Sequence, residues 1–221
     1  MNEIIDKIEM WLDKPVEDGI DQGVLYADTL LKEIEAELDN NFESKKYLGP
    51  LIGKIKRLQK TLHNLEKVDW VEVLGGHLAI GHRPSNKMFG DLNIQGATHV
   101  VTLLCEREGA ANLEKAAKKQ NFAWFWFPME SASPPDVSTF PVLKNLFLNM
   151  TEALNSNGKV YLHCSAGIHR TGMITYAFLR FAGMDKASAL EKLMLLRSET
   201  GKNVGVARIE WGDSFAQGKE V

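Results

Sequence analysis

Beyond Trp70 the chain alternates short, nearly continuous apolar runs with helical patterns, and this alternation constrains its fold more than any other feature. The stretch "WVEVLGGHLAIG" reads as two short strands around Gly75 and Gly76. "ATHVVTLLC" and "KVYLHC" read as buried strands, and "NFAWFWFP" as an aromatic-rich strand stopped by Pro128. Among them lie helical patterns, weak near Asn93 and Leu113 and strong in "VSTFPVLKNLFLNMTEALNSNG", "RTGMITYAFLRFAG" and "KASALEKLMLLRSE". Strands alternating with helices predict an α/β domain with a central, largely parallel sheet flanked by helices.

Residues 1–67 differ in texture. Leu51, Ile55, Leu58, Leu62 and Leu65 recur at spacings of four and three, and so do Val24, Ala27, Leu30 or Leu31, Ile34 and Leu38. Ile4, Ile8 and Trp11 form a shorter stripe, so two or three amphipathic helices are expected. This segment holds 14 acidic and 10 basic residues, net −4, against a net of −3 for the whole chain, which leaves +1 for residues 68–221. Charge and periodicity therefore shift together, predicting a helical N-terminal extension (1–67) and a second domain (68–221). Amphipathic stripes at this spacing more often form a core than a docking groove, so the extension is expected to brace the second domain.

The overall balance excludes other classes. No basic block points to nucleic acid, and no run approaches the ~18 apolar residues of a membrane span. The N-terminus lacks the basic flank and apolar core of an export signal, and the two cysteines, Cys105 and Cys164, cannot build a disulfide framework. A cytoplasmic protein with free thiols is the expectation. The six histidines show no metal-ligand spacing, and no cofactor is called for.

Chemistry concentrates in "VYLHCSAGIHRTG". In open α/β sheets ligands bind beyond the carboxyl ends of strands, where a turn enters a helix N-terminus. Cys164 follows such a strand and precedes a helix expected to start near Arg170. Gly167 lets the turn Cys164, Ser165, Ala166, Gly167, Ile168, His169, Arg170 point several N–H groups inward as an anion-binding nest. Arg170 adds a two-pronged guanidinium fork. Nest, helix terminus and guanidinium all favour a negative sulfur, and the same geometry would hold a phosphoryl group against it.

This pattern resembles the His-Cys-x5-Arg-Ser/Thr-Gly signature of the protein tyrosine phosphatase superfamily, matched by His163, Cys164, Arg170, Thr171 and Gly172. The resemblance covers about residues 69–200. "HLAIGHRPS" is similar to the early strand and Arg-Pro turn of dual-specificity phosphatases, and "GATHVVTLLCERE" to their next helix end and strand. It implies that Cys164 attacks phosphorus to give a cysteinyl-phosphate, that Arg170 and the loop amides stabilise the equatorial oxygens, that Thr171 assists hydrolysis, and that His163 orients the loop. The implied substrate is a phosphorylated protein or a small phosphomonoester.

The family's general acid is an aspartate in the loop here written "FPMESASPPDVSTF". The expected neighbourhood holds Glu130 instead; Asp136 lies further on, placed as a helix N-cap would be, and a site with no dedicated acid is the third alternative. Relatives that carry a cysteine like Cys105 close to the catalytic sulfur imply a reversible Cys105–Cys164 disulfide. His169 replaces a glycine of small relatives, as a rim residue or as an exposed residue without a role. Ser165, Ala166, Ile168 and His169 bring no lysine or arginine, which argues against highly anionic phosphoinositide or RNA triphosphate substrates. Two other classes compete with the enzyme: a phosphate-binding pseudophosphatase and, less compatible with the Arg170-Thr171-Gly172 run, a rhodanese-like sulfurtransferase.

Overall fold

Leu74 and Gly75, both at positive φ (54° and 86°), turn β1 (Val71–Val73) directly back into β2 (Gly76–Gly81). Two successive residues of this kind match the right-handed twist of paired strands, so the antiparallel register Val73↔Gly76 follows. The structure is a computed structural model describing residues 2–218. From β2 onward every pairing is parallel: β3 (His99–Leu104), β4 (Ala123–Met129) and β5 (Lys159–His163) complete a five-stranded sheet in the order β1-β2-β5-β3-β4. The fold is thus the α/β architecture expected, a mixed sheet with mostly parallel strands.

Helices α4 (Asn86–Ile94), α5 (Ala110–Lys119), α6 (Phe140–Asn155), α7 (His169–Phe181), α8 (Lys186–Leu196), α9 (Ser198–Asn203) and α10 (Val206–Ala216) flank the sheet. α7 is buried at every position from Thr171 to Leu179. On α6, Phe147 meets Phe178 and Phe215 edge-on, with centroids 5.5 and 5.6 Å apart. This packing anchors the C-terminal half of α7.

One strand boundary departs from expectation. Pro128 does not stop β4, which runs on to Met129. β4 is an edge strand, where the N–H that proline lacks is dispensable, and the register with β3 shifts between Thr102 and Leu104. The helix expected near Arg170 begins one residue earlier, at His169.

Residues Met1–Glu66 form a separate compact unit, and Lys67–Val221 the other. The first contains α1 (Asn2–Asp13), α2 (Ile20–Asn40), a short 3-10 turn and α3 (Lys45–His63). Most of its buried helical residues are members of the sequence stripes, Ile8 and Trp11, then Ala27, Leu30 and Ile34, then Ile55 and Leu62, to which the structure adds Gly23 and Leu48. Leu30 rather than Leu31 is the buried member of that pair. α3 starts at Lys45, ahead of the pattern that begins at Pro50.

Candidate active site

β5 ends at His163, and Cys164 is buried at the mouth of the turn that follows. Gly167, with φ of 74°, donates its N–H to Cys164 Sγ at 3.3 Å. A Cβ at this position would lie 2.3 Å from the Gly81 carbonyl carbon, so both conformation and space require glycine. The turn's carbonyls are held from outside. Ser165 O accepts from Arg83 N (2.9 Å), Ala166 O from Arg197 Nη1 (3.1 Å), and Gly167 O from Arg197 Nη1 (2.9 Å) and Thr200 Oγ1 (2.6 Å). Carbonyls fixed outward leave the adjoining N–H groups for the inside, which is how a nest gathers positive potential. Ser165, Ala166 and His169 are exposed, and Ile168 is half-buried.

Arg170 is clamped rather than free. Its Nη1 and Nη2 bind the two carboxylate oxygens of Glu108 at 2.7 and 2.8 Å, and Nη1 also donates to Met129 O at 2.7 Å. The Arg170 side chain is 12% exposed and that of Glu108 28%. Of five guanidinium donors, three are engaged; Nε–H and one Nη2–H, on adjacent atoms, remain as a two-pronged edge for an anion. The Arg170 hydrogen bonds pull the Glu108 carboxyl down to about 2, despite partial burial, with help from the Cys105 N–H at 3.0 Å. Glu108 in turn raises the affinity of Arg170 for its proton. Glu108 was not among the expected site residues; it lies 62 residues from Arg170, and only its place three positions past Cys105 hints at a cap.

A second relay fixes His163. Trp124 Nε1, which can only donate, bonds Thr102 Oγ1 at 2.9 Å, so the Thr102 proton turns to His163 Nε2 at 3.0 Å. Nδ1–H then donates to Cys164 O at 3.0 Å, and this chain assigns the tautomer. Complete burial, only partly offset by the Cys164 carbonyl, lowers the imidazole to about 4, leaving a neutral ring at neutral pH. Thr171 is fully buried, and its hydroxyl is one of the few buried side-chain polar atoms with no hydrogen-bond partner among the described residues.

The two acid candidates differ in placement. Glu130 follows Met129, whose carbonyl touches Arg170, but its side chain is 75% exposed and 3.4 Å from Arg107. Asp136 caps a 3-10 turn by accepting from Ser138 N at 2.9 Å, and the Ser138 hydrogen bonds hold its carboxyl below the usual range. Both line a cavity of about 190 Å³. Arg208 Nε ties the same loop through Ala132 O at 2.7 Å. Cys105 is buried, its thiol 3.2 Å from Glu108 Oε2.

The fold has counterparts among known proteins. Residues 75–184 match the family described as "Polymorphic toxin system, DSP-PTPase phosphatase". No curated protein matches the chain. Among solved structures, kinase associated phosphatase, crystallised with its catalytic-site cysteine replaced by serine, is 15% identical with a TM-score of 0.58, covering 69% of this chain and 94% of that one. Tk-PTP in the active form is 19% identical (TM-score 0.54, 67% and 97% covered), and PTPMT1 20% (0.54, 64% and 90%). Residues 75–184 belong to the protein tyrosine phosphatase superfamily, in its dual-specificity-like branch.

Proposed function

We propose that residues 68–221 are a catalytic domain hydrolysing phosphomonoesters of proteins, phosphotyrosine foremost with phosphoserine and phosphothreonine, through a cysteinyl-phosphate on Cys164. Residues 1–67 are its helical extension. The observation that carries this reading is the Gly167 N–H on Cys164 Sγ beside the open edge of Arg170. Cys164 Sγ attacks phosphorus while the ester P–O bond breaks, and the leaving oxygen keeps the bonding pair and takes a proton from Glu130. Arg170 and the inward amides hold the equatorial oxygens throughout. Water then attacks phosphorus, the S–P bond breaks, and the free Thr171 hydroxyl donates to the departing sulfur. Glu130 accepts the water's proton, and inorganic phosphate leaves.

His163 is the positioning residue, holding the Cys164 carbonyl through its Nδ1–H. Glu130 is preferred over Asp136 because the Arg170–Met129 contact brings its backbone to the site, whereas Asp136 is committed to its turn. Hydrolysis of an aryl phosphate without metal by wild type, its loss in Cys164→Ser, and a larger loss in Glu130→Gln than in Asp136→Asn are the expected outcomes. No turnover by folded wild type would favour a phosphate-binding pseudophosphatase, a reading supported by the exposure of Glu130 and its pairing with Arg107.

Cys105 is the proposed redox partner. Peroxide would take two electrons from the two thiols, their protons leaving in two waters as the Cys105–Cys164 bond forms. Non-reducing peptide mapping after peroxide treatment reads the linkage, and its absence would remove this role.

A further inference from the structure

A groove of about 680 Å³ lies beside the phosphate-loop turn, between the first turn of α4 and the length of α5. Three cations line it, Arg83, Lys115 and Lys119, together with Phe89 and the carboxamides of Asn86, Asn112 and Gln120. Among the described residues no acidic side chain lines it. The acid nearest in sequence, Glu114, is bound to Lys118 at 2.6 Å, so it does not neutralise Lys115 or Lys119.

The near end of the groove touches the catalytic loop. Arg83 N donates to Ser165 O at 2.9 Å, and Arg83 Nη1 donates to Glu108 O at 2.8 Å, just before α5 begins. Lys119 is the last residue of α5, ten residues on, so the cations span roughly 15 Å at 1.5 Å per residue. Lys115 and Lys119, four apart, share one face.

That length selects the ligand. A compact bisphosphate is shorter than this row of cations. An extended peptide advances about 3.3 Å per residue, so four or five residues run the whole groove. Carboxamides match its main-chain N–H and C=O groups, and lysines match carboxylates. The catalytic loop itself offers no lysine, and this flank supplies positive charge where a substrate chain leaves the site.

We propose that this groove recognises acidic residues flanking the phosphorylated residue of a protein substrate. The proposal rests on the protein-phosphatase reading above, and its test separates the two. Fluorescent peptides carry a phosphonate analogue of phosphotyrosine, which binds without turnover, flanked on either side by four glutamates or four glutamines. Their binding to the full-length chain is followed by anisotropy at low and high salt, alongside aryl phosphate hydrolysis.

The glutamate peptide should bind about five- to tenfold more tightly at low salt, and the preference should fade at high salt. Lys115→Glu/Lys119→Glu should abolish or invert it, with aryl phosphate hydrolysis unchanged, and Lys115→Ala/Lys119→Ala should reduce it. Equal affinity for the two peptides, or a preference that survives charge reversal, overturns the proposal. So does a soluble bisphosphate whose binding depends on the two lysines while the peptides are not distinguished. Loss of aryl phosphate turnover in wild type would strike the catalytic reading alone, because phosphonate binding is measured independently.

Discussion

Replacing Glu108 with glutamine removes one charge and leaves the shape almost unchanged, and its consequence can be worked from the Arg170 clamp. A carboxyl held at about 2 instead of its ordinary 4.5 corresponds to about 3 kcal/mol of favourable interaction in the folded state. Glu108 is 28% exposed, and screening by water reduces this to about 2 kcal/mol. The sign follows from a depressed carboxyl: the stabilisation is complete above pH 4.5 and is lost as pH falls through about 2. Urea unfolding of wild type and Glu108→Gln across this range should show a gap of about 2 kcal/mol near neutral pH that closes toward pH 2. The other carboxylates titrate in both proteins and cancel. A gap below about 0.5 kcal/mol at neutral pH, or one that does not narrow with acid, would refute the assignment of Glu108 as the ionised clamp of Arg170.

Other expectations follow from the same contacts. Gly167→Ala should cost at least about 2 kcal/mol and abolish binding of inorganic phosphate, since its Cβ meets the Gly81 backbone at a left-handed φ; calorimetry with phosphate reads both. Thr102→Val leaves Trp124 Nε1 and His163 Nε2 without their shared partner and should cost about 1–3 kcal/mol in chemical unfolding. In wild type, nitrogen NMR should find His163 neutral with the proton on Nδ1 down to about pH 4; the stability tied to that neutral ring is present above pH 6.5 and lost as pH falls toward 4. Arg197→Ala frees the Ala166 carbonyl and leaves Gly167 O with Thr200 Oγ1 alone, and should weaken phosphate binding about tenfold with little change in global stability, an effect seen as a raised KM for aryl phosphate.

The sheet was legible because strands buried on both faces leave continuous apolar runs, as in "KVYLHC", and the phosphate loop because a nest, its cysteine and its arginine must be contiguous. The N-terminal helices showed in their stripes for the same reason, a periodicity imposed by one buried face. What holds the loop was not legible. Thr102 reaches the site from β3, Trp124 from β4 and Glu108 from the turn after β3, which only the strand order, with β5 between β2 and β3, brings beside it. Arg197 and Thr200 arrive from the start of α9, and nothing in their spacing marks them as partners of Ala166 and Gly167. Pro128 was misread as a strand end because an edge position depends on topology, not on local sequence.

The most direct test of the account is the covalent intermediate itself. Wild type mixed rapidly with an aryl phosphate, quenched in acid and digested should yield a peptide spanning Cys164 that carries one added phosphoryl group, absent in Cys164→Ser and accumulating in Thr171→Val. Turnover without any phosphoryl group on that peptide, or turnover that survives Cys164→Ser, would contradict the thiolate mechanism.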